Sequence, residues 1–117
     1  VEAFIGTDPG RPDHYTEFEV APTGEQLDLS IRGQDKDFVW SSGFESAVRV
    51  NRKARVWTTE FRIPLAALGA ATPEPGTRWR LNLYRHAATE RAFLAWSPTA
   101  TATAHTPAKF GFLEFTD

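Results

Sequence analysis

The residues most able to do chemistry sit in one stretch, 77–98, TRWRLNLYRHAATERAFLAWSP. Its first half alternates in the manner of a strand. Trp79, Leu81 and Leu83 share one face, and Arg80, Asn82, Tyr84 and His86 share the other. The first is a core face. The second is either a solvent-facing row of ordinary polar residues or a ligand-binding row. An amide offers a donor and an acceptor to adjacent hydroxyls, and a guanidinium offers a rigid fork of donors. Trp96, beside Ser97-Pro98 where a strand should end, reads equally as a core residue or as a plate for the C–H face of a sugar ring. Arg85 is in phase with the core residues. It therefore lies at a sheet end, or is buried with a carboxylate partner such as Glu17 or Glu60.

Other candidates are weaker. Glu17 and Glu19 fall on one strand face, roughly 6.5–7 Å apart at Cα, a separation that glycosidases use and that any half-exposed acidic strand also gives. No Glu-x-Asp-x-x-Glu pattern accompanies them. His14, His86 and His105 are far apart and lack metal-ligand spacing. Asp8, Asp13, Asp35 and Asp37 lie in loops, the setting calcium uses, without an EF-hand spacing. Phosphate-loop, GxSxG and dinucleotide fingerprints are absent. The residues imply no enzyme and no cofactor, with structural calcium left open.

The elements that must position these residues are short strands. Alternation marks 1–5, 14–21, 27–31, 44–51, 56–63, 77–86, 91–96 and 109–115. Pro- and Gly-rich turns separate them, and 33–38 reads as a charged loop. Pro64 followed by LAALG marks a single helical turn. Eight strands at this spacing predict an all-β fold, a two-sheet antiparallel β-sandwich. Trp57, Phe61, Trp79, Leu81, Leu83, Phe18, Phe110 and Phe112 are expected to be buried together. Trp40 either caps the core or stands exposed on a loop.

A length of 117 residues predicts a single domain over 1–117. A net charge of -2 lacks the basic face of a phosphate-backbone binder, so no nucleic-acid partner is expected. No apolar run reaches the ~20 residues of a membrane-spanning helix, so no membrane insertion is expected. There is no Cys and no Met, even at position 1, so the chain is expected to be a piece of something longer.

Six pieces in order, VEAFI, HYTEFEVAPTGEQLDL, WTTEFRIPLAALG, PGTRWRLNLYR, AWSPT and HTPAKFGFLEF, resemble the carbohydrate-binding module family 9-like domain of bacterial extracellular proteins. The resemblance spans essentially the whole chain. It implies a jelly-roll-like sandwich that binds a poly- or oligosaccharide without catalysis, outside the cell or in the periplasm. In that family some members grip a glycan end between two tryptophans, and some carry structural calcium. By this likeness Trp96 matches the AWSP-like aromatic, and Asn82 and Arg85 match the NLYR-like motif. The expected sugar site is Trp96, Asn82 and Arg85, with Tyr84 as a second apolar wall and Glu17 as a hydroxyl acceptor. Family domains carry strands ahead of the VEAFI-like one, so 1–117 is expected to be the C-terminal part of a larger domain, with exposed edge strands that favour self-association. The alternative is a structural or protein-interaction sandwich without a sugar site.

Overall fold

The computed structural model describes residues 1–87 and 92–117. It is an all-β, two-sheet antiparallel sandwich. The larger sheet holds seven strands: β1 (Glu2–Gly6), β2 (His14–Val20), β3 (Gln26–Arg32), β4 (Asp35–Asp37), β7 (Arg78–Ala87), β8 (Ala92–Ala95) and β9 (Gly111–Glu114). Their order is β4-β3-β2-β1-β7-β8, and β9 also pairs with β7. The smaller sheet is the hairpin of β5 (Glu45–Asn51) and β6 (Val56–Arg62). Between β6 and β7 a 3-10 turn, Leu65–Leu68, follows Pro64 and is closed by Gly69 in the left-handed conformation, as its sequence predicts.

β4 was not expected. Arg32 pairs with Asp35 across a two-residue turn, Gly33-Gln34, and Gly33 takes φ +64°, a conformation that costs glycine little. Three charged residues then pair with β3, a short strand whose character hides its pattern and also guards a sheet edge.

β7 is the axis. Along one side it pairs with β1, from Glu2↔Tyr84 to Gly6↔Arg80. Along the other it pairs first with β9 over residues 78–81 and then with β8 over 84–87. The chain between β8 and β9 leaves the sheet edge and folds back over one face.

Both faces of the large sheet are therefore covered, and the core is split in two. Under the hairpin lie Ala3, Phe18, Val20, Phe44, Leu68 and Trp79, with Phe61, Ile63 and Leu113 packed against them. Trp40 joins this side, edge-on to Phe18 at 6.4 Å, so it caps the core. On the other face lie Phe4, Tyr15, Leu29, Ile31 and Tyr84, covered by Ala104 and Phe110 from the returning chain. The eight expected core residues are thus not one cluster. Trp79 and Phe18 belong to the first group and Phe110 to the second, while Trp57, Phe61 and Leu81 are only half-buried. Leu83 is 44% exposed and belongs to neither group. Phe112 is 43% exposed on β9, with the Arg78 and Arg80 guanidinium carbons 4.1 and 5.1 Å from its ring centre.

Candidate functional site

The hairpin leaves a strip of β7 and β8 open. Register defines its rows. Leu83 lies opposite Ala3 of β1, and on the other side its carbonyl accepts from the Trp96 amide at 2.8 Å. One row further along, Arg85 lies opposite Leu94. Leu83, Leu94 and Trp96 are all exposed, Trp96 at 56%, and Arg85 is exposed beside them.

Gly111 fixes the indole. It pairs with Leu81, one row from Leu83. A Cβ on Gly111 would come within 2.5 Å of Trp96 Cζ3 and 2.8 Å of Cη2, so the ring lies directly on the β9 backbone. The result is a supported aromatic plate, open to solvent over more than half its surface. On the far side of Arg85, Trp57 of β6 lines a cleft of about 170 Å³ together with Val1, Arg55, Val56 and Arg85.

Asn82, Tyr84 and Glu17 lie on the opposite face of the sheet. Asn82 is fully buried, with no exposed surface, and its amide is occupied. Its Oδ1 accepts from the amides of Leu83 at 3.0 Å and Ser97 at 2.9 Å, and its Nδ2 donates to the Ser97 carbonyl at 3.0 Å. The side chain imitates a strand neighbour at the point where the main chain leaves β8. Tyr84 is buried beneath Phe93, which also stacks on His86 at 4.6 Å.

Glu17 is 3% exposed. Burial, followed by the neighbouring carboxylates of Glu19 and Glu2, pushes its carboxyl up to about 8. Burial and Glu19 likewise raise Glu2, which is Glu19's partner across the strands. The returning chain sets His105 above this group, with Nε2 3.6 Å from Glu17 Oε2. Lys36 donates to the same Nε2 at 2.7 Å, so the ring proton is on Nδ1, which donates to the Tyr15 hydroxyl at 2.9 Å. Burial, then Lys36, holds the His105 pKa below its ordinary value. Burial, then Glu17, pushes the Tyr15 phenol up to about 12.

The structure thus brings Trp96 and Arg85 together on one face, and Asn82, Tyr84 and Glu17 together on the other. Arg85 is exposed, and Glu17 is on the wrong face to pair with it. Glu60 alternates with the inward Phe61 and Thr59 and faces outward from the hairpin. Of the four acids read as loop residues, Asp35 and Asp37 lie in β4; Asp8 accepts the Gly10 amide, and Asp37 accepts the Val39 and Trp40 amides. Among the described residues no group of three or more His, Cys, Asp or Glu is arranged to hold a metal ion. Also among them, no helix is long and apolar enough to cross a membrane. Sequence reasoning missed Gly111 and Leu94 as parts of the open strip. The small residue in AKFGF was the available signal for a close contact at that position.

No protein-family model matches the chain. It is 27% identical, over 98% of its length, to a protein of Arthroderma benhamiae named "Extracellular protein", of which it covers 60%. Its fold is similar to the crystal structure of a "putative carbohydrate-binding protein" from Bacteroides uniformis, with a TM-score of 0.68 and 20% identity. That match covers 97% of this chain and 59% of the other. The chain therefore spans about three-fifths of the length of both proteins.

Proposed function

We propose that the chain is a non-catalytic carbohydrate-binding β-sandwich of an extracellular or periplasmic protein, and that a sugar of a poly- or oligosaccharide stacks on Trp96. The observation that carries this reading is the indole itself. It is large, flat and half-exposed, and it is held rigid against Gly111. A pyranose needs one apolar surface and a few directional donors. Leu83 and Leu94 extend the surface, and Arg85 supplies the donors. Trp57, beyond Arg85, gives the strip a second aromatic border. Asn82, with its amide engaged by Ser97, serves by holding Trp96's segment in place. Tyr84 and Glu17 serve the fold from the other face. The likeness to a carbohydrate-binding protein and to a protein named extracellular supports the reading.

A non-catalytic role fits the acids. A carboxyl with a raised pKa beside a second carboxylate is how a glycosidase makes its acid. Glu17, however, is sealed between the sheet and the returning chain, where no glycosidic oxygen has room to approach.

A second reading has its own support. Leu83, Leu94 and Trp96 form an exposed apolar strip, and β8 pairs only with β7 among the described residues. An open edge beside an apolar strip also suits a protein partner or a second copy. Calorimetry with a panel of neutral mono- and oligosaccharides separates the two. The sugar reading expects modest affinity, lost in Trp96→Ala. Equal binding by the variant places the site elsewhere. Absence of any sugar binding, together with association in sedimentation velocity that Leu94→Lys abolishes, supports the interaction reading instead.

A further inference from the structure

A second, chemically different pocket lies at the other end of the large sheet. It has a volume of about 290 Å³, near the lower end of small-molecule sites, and its lining includes Ile5, Thr7, Asp8, Arg11, His14 and Arg32. Two arginines line it from separate elements. Arg32 is brought beside His14 by the β2–β3 register, in which the two residues are direct partners. Arg11 comes from the loop between β1 and β2. That loop is braced by backbone bonds from Arg11 N to Asp8 O at 3.1 Å and from His14 N to Arg11 O at 2.9 Å.

Both guanidinium groups have donors to spare. Arg32 Nη1 donates to the carbonyls of Ile31 at 2.7 Å and Tyr15 at 3.3 Å, which leaves Nη2 and Nε. Arg11 Nη2 donates to His14 Nε2 at 2.8 Å, which makes that imidazole nitrogen an acceptor. Among the described residues neither arginine forms a salt bridge with a carboxylate. Asp13 and Asp8 are the acids nearest Arg11 in sequence, and Asp35 is the cross-strand partner of Arg32. The Asp13 carbonyl holds the Gly33 amide, and Asp8 Oδ1 holds the Gly10 amide.

We propose that this pocket binds the carboxylate of an acidic sugar residue, a hexuronate. Given that the chain is a sugar binder, this names a class of sugar for it. Two guanidinium groups with free donors match the two oxygens of a carboxylate. Ile5 and Leu68 offer an apolar wall to a ring. Thr7, Thr16 and the second oxygen of Asp8 are hydroxyl partners. Thr16 Oγ1 donates to the Ile5 carbonyl at 3.2 Å and so presents acceptor lone pairs. Asp8 also selects, because its negative charge disfavours a compact dianion such as phosphate while accepting from a neutral hydroxyl.

The test is calorimetry on the whole chain with methyl glucuronide and methyl galacturonide, their neutral hexose counterparts and inorganic phosphate. The uronides should bind at least tenfold tighter than the neutral glycosides, with affinity falling as salt rises. Arg11→Gln should lose at least tenfold, and Arg11→Lys should recover only part, since it restores charge without the fork. Arg32 also caps two carbonyls, so Arg11 is the primary probe, with circular dichroism confirming the fold of each variant. Uronides no tighter than neutral sugars, or indifferent to Arg11→Gln, overturn the proposal, as does phosphate binding equally well through the same arginine. Neutral sugars that bind and depend on Trp96, without a uronide preference, sink this inference alone. Uronide binding through Arg11 without any neutral-sugar binding sinks the Trp96 site and leaves this one.

Discussion

Glu17 is the residue where the fold stores an electrostatic cost. Its carboxyl holds a proton up to about pH 8 in the folded chain, against about 4.5 when exposed. Between those values the folded state binds the extra proton, so stability falls as pH rises through the window and levels off above it. Glu2, raised for the same reasons, adds in the same direction. Glu17→Gln should flatten the decline and gain on the order of 1–2 kcal/mol at pH 8. Thermal melts from pH 4.5 to 8.5 check this, and an unchanged slope in the variant would remove Glu17 as the cause. Gly111 makes a second prediction at this scale. Gly111→Ala drives a methyl into the Trp96 ring. It should cost about 1–3 kcal/mol and shift the indole emission, and any sugar affinity that depends on Trp96 should fall with it. A variant with wild-type stability and emission would show that the ring is not seated there.

At the scale of elements, β7 and the segment leaving β8 act as a unit, and Asn82 joins them. Three hydrogen bonds to its amide stand where a ladder would otherwise be. Asn82→Ala removes the Oδ1 acceptor of the part-buried Leu83 amide and releases Ser97, for a cost of about 1–3 kcal/mol. Chemical denaturation measures it, and a loss under 0.5 kcal/mol, on the order of a surface change, would make the amide dispensable. Strands such as β2 and β7 were legible in the sequence because alternation and bounding turns are local signals. β4 was not, since three charged residues carry no apolar phase and only the Gly33 turn creates them as a strand. The candidate site was legible in part. Trp96 and Arg85 do share a face, but Asn82, Tyr84 and Glu17 look inward from the other. A strand's period says which residues share a face; what covers that face is decided by chain far away, here 96–110.

The whole molecule is better described as one large sheet covered twice, by a hairpin on one side and by the returning chain on the other, than as two equal sheets around one core. That arrangement explains why a row containing an amide, a phenol and a glutamate is buried, and why Leu83, in perfect core phase, is not. A periodic pattern assigns one face to the core and the other to solvent, and it has no way to signal a second cover made of irregular chain. The two apolar groups are separated by the sheet itself, which leads to an energetic prediction. Ile31 belongs to the group under the returning chain, and Val20 to the group under the hairpin. The two sit on adjacent strands, but the register pairs Ile31 with Tyr15 and Val20 with Gln26, five positions apart, and they share no cluster. Ile31→Val should cost about 0.5–1.5 kcal/mol and Val20→Ala about 1–3 kcal/mol by loss of buried methyl groups. Their effects should add to within roughly 0.5 kcal/mol, as for distant sites without common partners. Within one group, Ile31→Val and Phe110→Leu should depart from additivity, because both lie in the cluster around Phe4 and Tyr15. Urea denaturation of the single and double variants decides it. Strong coupling between Ile31 and Val20 would mean that the sheet transmits packing from face to face, and that the two covers stabilise one core after all.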